Sequence, residues 1–378
     1  MLQYREDIER REEETLAPCA TRSSQTRGRV YAQEKHPLRT AFQRDRDRVV
    51  HSAAFRRMEY KTQVFIPHEQ DHFRTRLTHT IEVAQIGRTL ARNLRLNEDL
   101  VEAIALVHDL GHTPFGHSGE DVLNDLLGDY GGFNHNRQTL RVVDILEQRY
   151  PEHPGLNLSY EVREGIVKHE TSVRITHPEF DPDHQPTLEA ALVDIADEIA
   201  YNTHDIDDGL SAGIIVPDEL AQADFFDDLL AVGPDWLSDR PDDYKRYALV
   251  RHLVDRMATD VIEEAYRRIK HFNITDTAAV HSAPERICSY SASMGKLVLA
   301  LKDFLRNRLY SHPHLVAISR RAEATIKGIF GKIQADTLLM PPRFQNMLES
   351  ERREIVIADY IAGMTDRYAE KMFGDLGG

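Results

Sequence analysis

Within thirteen positions, HDLGHTPFGHSGE (residues 108–120) carries His108, His112, His117, Asp109 and Glu120, interleaved with glycine and proline. Imidazoles and carboxylates are the side chains that hold divalent ions and move protons near neutrality. Glycine and proline end or turn helices, so the stretch predicts such groups converging from two elements. His108 and Asp109 are adjacent. Neighbours on a helix point about 100° apart, so both reach one ion only near a helix end, which Gly111 supplies. His79 follows the arginine-rich RTRLT, and Asp197 interrupts the apolar face of LVDIADEIAYNTHD. A carboxylate at such a place is costly unless it is paired or binds a cation. His79, His108, Asp109 and Asp197 form a set of nitrogen and oxygen donors that suits Mn²⁺, Mg²⁺, Fe²⁺, Co²⁺, Ni²⁺ or Zn²⁺. On spacing alone, the same four groups serve equally as helix caps and surface charges.

Helices must position them. From about residue 40 the chain reads as helix after helix. THTIEVAQIGRTLARNL places Ile81, Ala84, Ile86, Leu90 and Leu94 near helical spacing. NEDLVEAIALVHDLG has Asn97 as its N-cap and Gly111 as its stop. Ser118 and Asp121 suit the start of the next helix. A loop and helix follow in YGGFNHNRQTLRVVDILEQRY, then a long helix closing near Gly209, then YALVRHLVDRMATDVIEEAYRRI, GKLVLALKDFLRNRLY and ERREIVIADYIAGM. Residues 171–187 and 209–242 read as connections. The class expected is all-α, with a charged mobile arm over 1–35, a core over 36–215 and a C-terminal helical region over 216–378 packed on it. The arm either hangs free or docks on a neighbouring subunit.

Composition narrows the function. The chain has 378 residues, 41 % hydrophobic and 29 % charged, the profile of a globular protein. A net charge of −15 argues against general binding of duplex nucleic acid. Two cysteines, Cys19 and Cys288, exclude a disulfide framework and a thiolate zinc cluster. No apolar run reaches membrane-spanning length, and MLQYREDIERREEE is no secretory signal. A cytoplasmic location is expected. MGKLV lacks the upstream glycine and the following Ser or Thr of a phosphate-binding loop.

The order His, His-Asp, Asp on successive helices resembles the HD superfamily of metal-dependent phosphohydrolases. It is more similar still to the deoxyguanosine triphosphate triphosphohydrolase-like branch, related to the catalytic domains of the sterile-alpha-motif HD proteins. RDRDRVVHSAAFRRMEYKTQVF (44–65), RTRLTHTIEVAQIGR (74–88), HDLGHTPFGHSGE (108–120) and ADEIAYNTHDIDDGL (196–210) carry the likeness, which is strongest over residues 27–215. The resemblance implies an HD-type helical core, a divalent metal cofactor, and attack of water at the α-phosphorus of a dNTP to release triphosphate and a deoxynucleoside. It implies that His112, His117 and His135 line the α-phosphate. His117 is then the acid at the 5′-oxygen or the activator of water, steadied by Glu120, and His112 is an electrostatic partner of the phosphate. Tyr201 would pack under the deoxyribose, with Asp205 and Gln63 on the 3′-hydroxyl. Asp197, Tyr201 and Asp205 are spaced to share one helix face. Arg76, one turn before His79, would meet the phosphates, with Lys168, Arg56 and Arg57 as weaker candidates. The sterile-alpha-motif relatives have lysine where this chain has Glu198. The resemblance also implies a homo-oligomer and an allosteric nucleotide, for which the basic residues of 301–321 are candidates alongside their reading as polar helix faces. The competing readings are an HD phosphohydrolase acting on a cyclic nucleotide, a guanosine polyphosphate or a nucleoside monophosphate, and a nucleotide-binding regulator with little turnover.

Overall fold

The computed structural model describes residues 2–64, 73–169, 175–216, 220, 223 and 242–377. In chain order its helices are α1 (Arg5–Thr15), α2 (Ala41–Val50), α3 (Ala53–Arg57), α4 (Arg76–Leu94), α5 (Glu98–Val107), α6 (Gly116–Leu126), α7 (His135–Arg141), α8 (Tyr160–Lys168) and α9 (Leu188–Ser211). They continue with α10 (Asp242–His271), α11 (Thr277–His281), α12 (Ala292–Leu305), α13 (Pro313–Ala335), α14 (Pro342–Met347), α15 (Arg353–Ala362) and α16 (Asp366–Asp375). β pairing among the described residues is limited to isolated bridges, so the fold is all-α. No described helix is long and apolar enough to cross a membrane.

Local chemistry sets the helix starts. Asn97 caps α5, its side chain accepting from the Leu100 N–H at 3.2 Å, and Thr187 caps α9 through Ala190 at 3.2 Å. Helices α4, α5 and α9 pack closely because Gly87 lacks a side chain. A Cβ there would lie 2.9 Å from Val101 and 3.6 Å from Ala196. Ile86, Leu90 and Leu94 face this core, whereas Ile81 is turned to solvent.

Two turns differ from the sequence expectation. α5 ends at Val107, and Gly111 is no left-handed stop. It is glycine because a Cβ would sit 2.2 Å from the Thr139 nitrogen and 2.3 Å from the His135 carbonyl oxygen. α6 begins at Gly116 rather than at Ser118, after Phe115 and Gly116 take the left-handed φ values of 63° and 58°.

The N-terminal segment is not a free arm. Ile8 and Glu12 of α1 are buried, and Glu12 accepts from the Ser23 N–H at 2.8 Å. Thr21 donates its N–H and its hydroxyl to Glu189 of α9, each at 2.9 Å. Arg29 pairs with Asp45. The charges that suggested a solvated tail satisfy buried partners far along the chain, which composition does not reveal.

Two apolar clusters result among the described residues. The larger gathers α2, α4, α5, α8, α9, α10 and α12. In the smaller, Phe115, Leu123 and Phe133 meet Ile326, Ile329, Phe330, Ile357 and Ile361, so α6 is seated on the C-terminal helices.

Candidate metal centre and phosphate cavity

α4 contributes His79, the turn after α5 contributes His108 and Asp109, and α9 contributes Asp197, all bordering one another in the interior. His79 Nε2 lies 2.8 Å from Asp197 Oδ1. His108 Nε2 lies 3.4 Å from Asp109 Oδ1 and 3.7 Å from Asp197 Oδ1. The ligand atoms of His79, His108 and Asp109 fall within 4.8 Å of one another. His108 Nδ1 donates to the Ala105 carbonyl at 2.6 Å, which leaves Nε2 buried without a hydrogen-bond partner and aimed at two carboxylates. A lone pair facing anions in the interior fits a cation between them. Burial alone would raise the Asp109 and Asp197 carboxyls. Asp109 is held well below the ordinary range by His108, Arg76 and His112, and Asp197 by His108, His169 and His79. Burial lowers His108, yet Asp109 and Asp197 raise it overall. The four donors fit a divalent ion.

His169, at the end of α8, escaped the sequence reading. Its Nδ1 lies 2.6 Å from Asp194 and its Nε2 3.6 Å from Asp197, and its ring lies 5.1 Å from that of His108. The signal that could have found it is Asp194, a second carboxylate one turn before Asp197 on a helix otherwise apolar there.

Beside these donors is a cavity of about 340 Å³ lined by Gln63, Arg76, His112, His117, Glu120, His135 and Tyr201, among others. Glu120 is the anchor of its histidine group. It accepts from the backbone N–H of His135 at 2.8 Å and from His135 Nδ1 at 2.9 Å. The expectation that Glu120 steadies His117 is met only loosely, at 3.6 Å, because His117 is 64 % exposed while His135 is tucked against the carboxylate. His112 stacks on His135 with centroids 4.0 Å apart and puts Nε2 3.1 Å from Asp109. Burial, Arg76 and His135 hold His112 well below the usual imidazole range.

Arg76 is 2 % exposed and pairs with Asp109 at 3.0 Å, while its Nε and Nη2 have no hydrogen-bond partner. The Gln63 Oε1 is likewise unpartnered. Lys168 is not in the cavity lining. Its Nζ is bound to Glu164 at 2.9 Å and to the His184 carbonyl at 3.0 Å, because the end of α8 directs it away. Arg56 and Arg57 are also outside the lining. Lys302 of α12 takes the cationic place instead, 2.9 Å from Glu198. Tyr201 lines the cavity and stacks near Tyr310 at 6.2 Å. Asp205 lies beyond the lining, buried and bonded by the Tyr310 hydroxyl. Burial pushes its carboxyl up to about 8 against the opposing pull of that bond.

The C-terminal corner ties this loop down. Asp366 accepts from the Thr62 N–H at 2.8 Å and from the Phe115 N–H at 2.9 Å. Lys61 Nζ donates to the carbonyls of His112 at 2.5 Å and Ala362 at 2.8 Å. Burial, aided by Arg57, pushes Lys61 from 10.5 down to about 7. A neutral amine still has two hydrogens for its two carbonyls. Between pH 7 and 10.5 the unfolded chain holds the extra proton, so stability should rise with pH, by up to about 1.4 kcal/mol per unit. Below pH 7 the cost of the buried charge is constant. Urea unfolding of wild type and Lys61→Met from pH 6 to 10 checks this. The difference between them should shift toward wild type above pH 7, and a parallel pH dependence would contradict it.

Known proteins resemble this chain over most of its length. The HD domain model matches residues 76–202, and the phosphohydrolase-associated domain model matches residues 288–375. Proteins named deoxyguanosinetriphosphate triphosphohydrolase-like are similar over nearly the whole length. The one from Thiobacillus denitrificans is 46 % identical, covering 94 % of this chain and 96 % of its own. That from Azoarcus sp. is 48 % identical, covering 94 % and 95 %, and that from Ralstonia pickettii 46 %, covering 94 % and 93 %. The chain belongs to the deoxyguanosinetriphosphate triphosphohydrolase-like family of HD-domain hydrolases.

Proposed function

We propose that the protein is a dNTP triphosphohydrolase that cleaves at the α-phosphorus, releasing a deoxynucleoside and intact triphosphate. The observation that carries this reading is one cavity joining a divalent-ion donor set to His112, His117 and His135, gathered by Glu120, and to the cations Arg76 and Lys302. A divalent ion, for which Mn²⁺, Mg²⁺, Fe²⁺, Co²⁺, Ni²⁺ and Zn²⁺ are candidates, supplies Lewis-acid polarisation of a phosphoryl oxygen. His79, His108, Asp109 and Asp197 hold it. Arg76 turns its unpartnered Nε and Nη2 to phosphate oxygens, and Lys302, steadied by Glu198, adds charge to the triphosphate chain. His117 donates the proton that the departing 5′-oxygen needs. Tyr201 packs against the sugar and leaves no room for a ribose 2′-hydroxyl, with Gln63 on the 3′-hydroxyl. The carboxyl of Asp205 supports that end of the site through Tyr310.

Incubation with each of the four dNTPs and four NTPs in Mg²⁺, Mn²⁺ or Co²⁺, with the products resolved, tests the reading. Inorganic triphosphate and deoxynucleoside in equal amounts are expected, from dNTPs and not NTPs. Orthophosphate or pyrophosphate as the sole phosphate product would overturn it.

A further inference from the structure

An imidazole holds an ion through one ring nitrogen, and only when that nitrogen carries no hydrogen. The partner of the other nitrogen decides which tautomer is present. In His108 the Ala105 carbonyl, 2.6 Å from Nδ1, makes that choice. His79 is arranged differently. Its Nε2 faces Asp197 at 2.8 Å, while its Nδ1 lies 3.4 Å from Nδ1 of His204, a buried residue of α9. His204 is outside the lining of the catalytic cavity, so it is not placed to touch substrate.

The hydrogens along this line can be placed one after another. If His79 gives a bare Nε2 to an ion, its hydrogen sits on Nδ1 and needs an acceptor. The nitrogen in reach is His204 Nδ1, which must then be bare, so the hydrogen of His204 sits on Nε2. There a second acceptor stands ready: Glu82 Oε2 lies 3.1 Å from His204 Nε2. Glu82 is itself held, since Oε2 accepts from Arg74 Nε at 3.1 Å, and Arg74 pairs with Asp207 at 2.8 Å and Asp208 at 2.7 Å on α9. His79 and Glu82 are one turn apart on α4, and Asp197 and His204 are two turns apart on α9. Two packed helices therefore carry the whole line. The opposite tautomer of His79 would place its hydrogen on Nε2, where Asp197 accepts it and an ion is shut out.

We propose that His204, fixed by Glu82, is a positioning residue for the metal centre: it accepts the Nδ1 hydrogen of His79 and so keeps a bare Nε2 turned to the ion. The proposal rests on the reading of His79 as a metal donor and does not depend on which nucleotide the cavity cleaves.

Calorimetric titration of Mn²⁺ into the metal-stripped full-length protein, without nucleotide, tests it by comparing wild type with His204→Asn and His204→Phe. Asparagine carries an amide oxygen on Cγ, where histidine carries Nδ1, and so keeps an acceptor for His79. Phenylalanine keeps the ring volume and offers no acceptor. His204→Asn should bind Mn²⁺ within about threefold of wild type, and His204→Phe about 10- to 100-fold more weakly, the usual effect of losing a partner behind a ligand. A residue that only filled space would give the reverse order, because a ring of similar volume is the better replacement in a packed interior. Glu82→Gln and Glu82→Leu repeat the comparison at a side chain that is 41 % exposed, where folding is not at risk. Both lose the charge and only the first keeps an acceptor, so Glu82→Leu should bind Mn²⁺ more weakly than Glu82→Gln. His204→Phe binding as tightly as His204→Asn, or Glu82→Leu as tightly as Glu82→Gln, would overturn the proposal and leave the donor set in place. Wild-type protein that takes up no Mn²⁺ would remove the donor set and the proposal together.

Discussion

Asp197→Asn should reduce kcat/KM by about 10³-fold or more while leaving the helical circular dichroism unchanged, because it removes one anionic donor of the metal set without altering shape. Asp197 is the most connected of the four donors, meeting His79 at 2.8 Å, His169 at 3.6 Å and His108 at 3.7 Å. Two of these imidazoles have a second carboxylate, Asp109 for His108 and Asp194 for His169, so its loss leaves neither without an anion. Asp109→Asn is the less clean variant. It removes the only carboxylate paired with Arg76 among the described residues, and breaking a buried pair costs about 3–5 kcal/mol of stability. Mn²⁺ titration followed by calorimetry should show binding weaker in Asp197→Asn by at least the roughly 10- to 100-fold that loss of a partner behind a ligand costs. Chelation should abolish wild-type turnover and added Mn²⁺ restore it. Wild-type turnover or wild-type Mn²⁺ affinity in the variant would refute the assignment.

His117→Asn should lower kcat by about 10²- to 10⁴-fold with a much smaller change in KM, as removal of a general acid does. The choice of His117 over its neighbours rests on exposure. A proton donor must be recharged at every turnover, and His117 is 64 % exposed at the cavity edge. His112 is buried and held well below the usual imidazole range, so it is neutral and cannot donate repeatedly. Glu120 is the anion beneath the group. Burial would raise it, but His117, His135 and His112 hold it far below the ordinary carboxylate range, so it stays ionised throughout the working range. Glu120→Gln should therefore lower kcat, because it removes the carboxylate that gathers His135 and borders His117. It should also loosen His135, whose backbone and ring both bond to this carboxylate. Wild-type kcat in Glu120→Gln or in His117→Asn would count against this division of roles.

Much of this site was legible in the chain. Asn97, Thr187 and Asn134 are cap residues whose side chains bond the first turns of α5, α9 and α7. The helix predicted to stop at Gly111 ends instead at Val107, and Gly111 serves the close approach to His135 and Thr139. His79, His108, Asp109 and Asp197 stood out as polar groups in apolar company, and they do meet. Lys168 was misjudged because a lysine reads the same whether its helix aims it at a cavity or, as here, at Glu164 and the His184 carbonyl. The N-terminal segment was misjudged for a related reason. Charge density distinguishes a solvated tail from a docked one only when the partners are known, and Glu189 lies 168 residues from Thr21.

By itself, then, the sequence determined the helices, their caps, the apolar faces and the donor types, since these depend on neighbours three or four residues apart. Only the tertiary structure decided which faces meet. It brought His169 between Asp194 and Asp197, set Lys302 beside Glu198, and fastened the turn before α6 to Asp366, 251 residues beyond Phe115. Such pairings carry no period along the chain. They exist because a buried carboxylate, amine or amide must find a partner somewhere, and packing alone decides which one comes within reach.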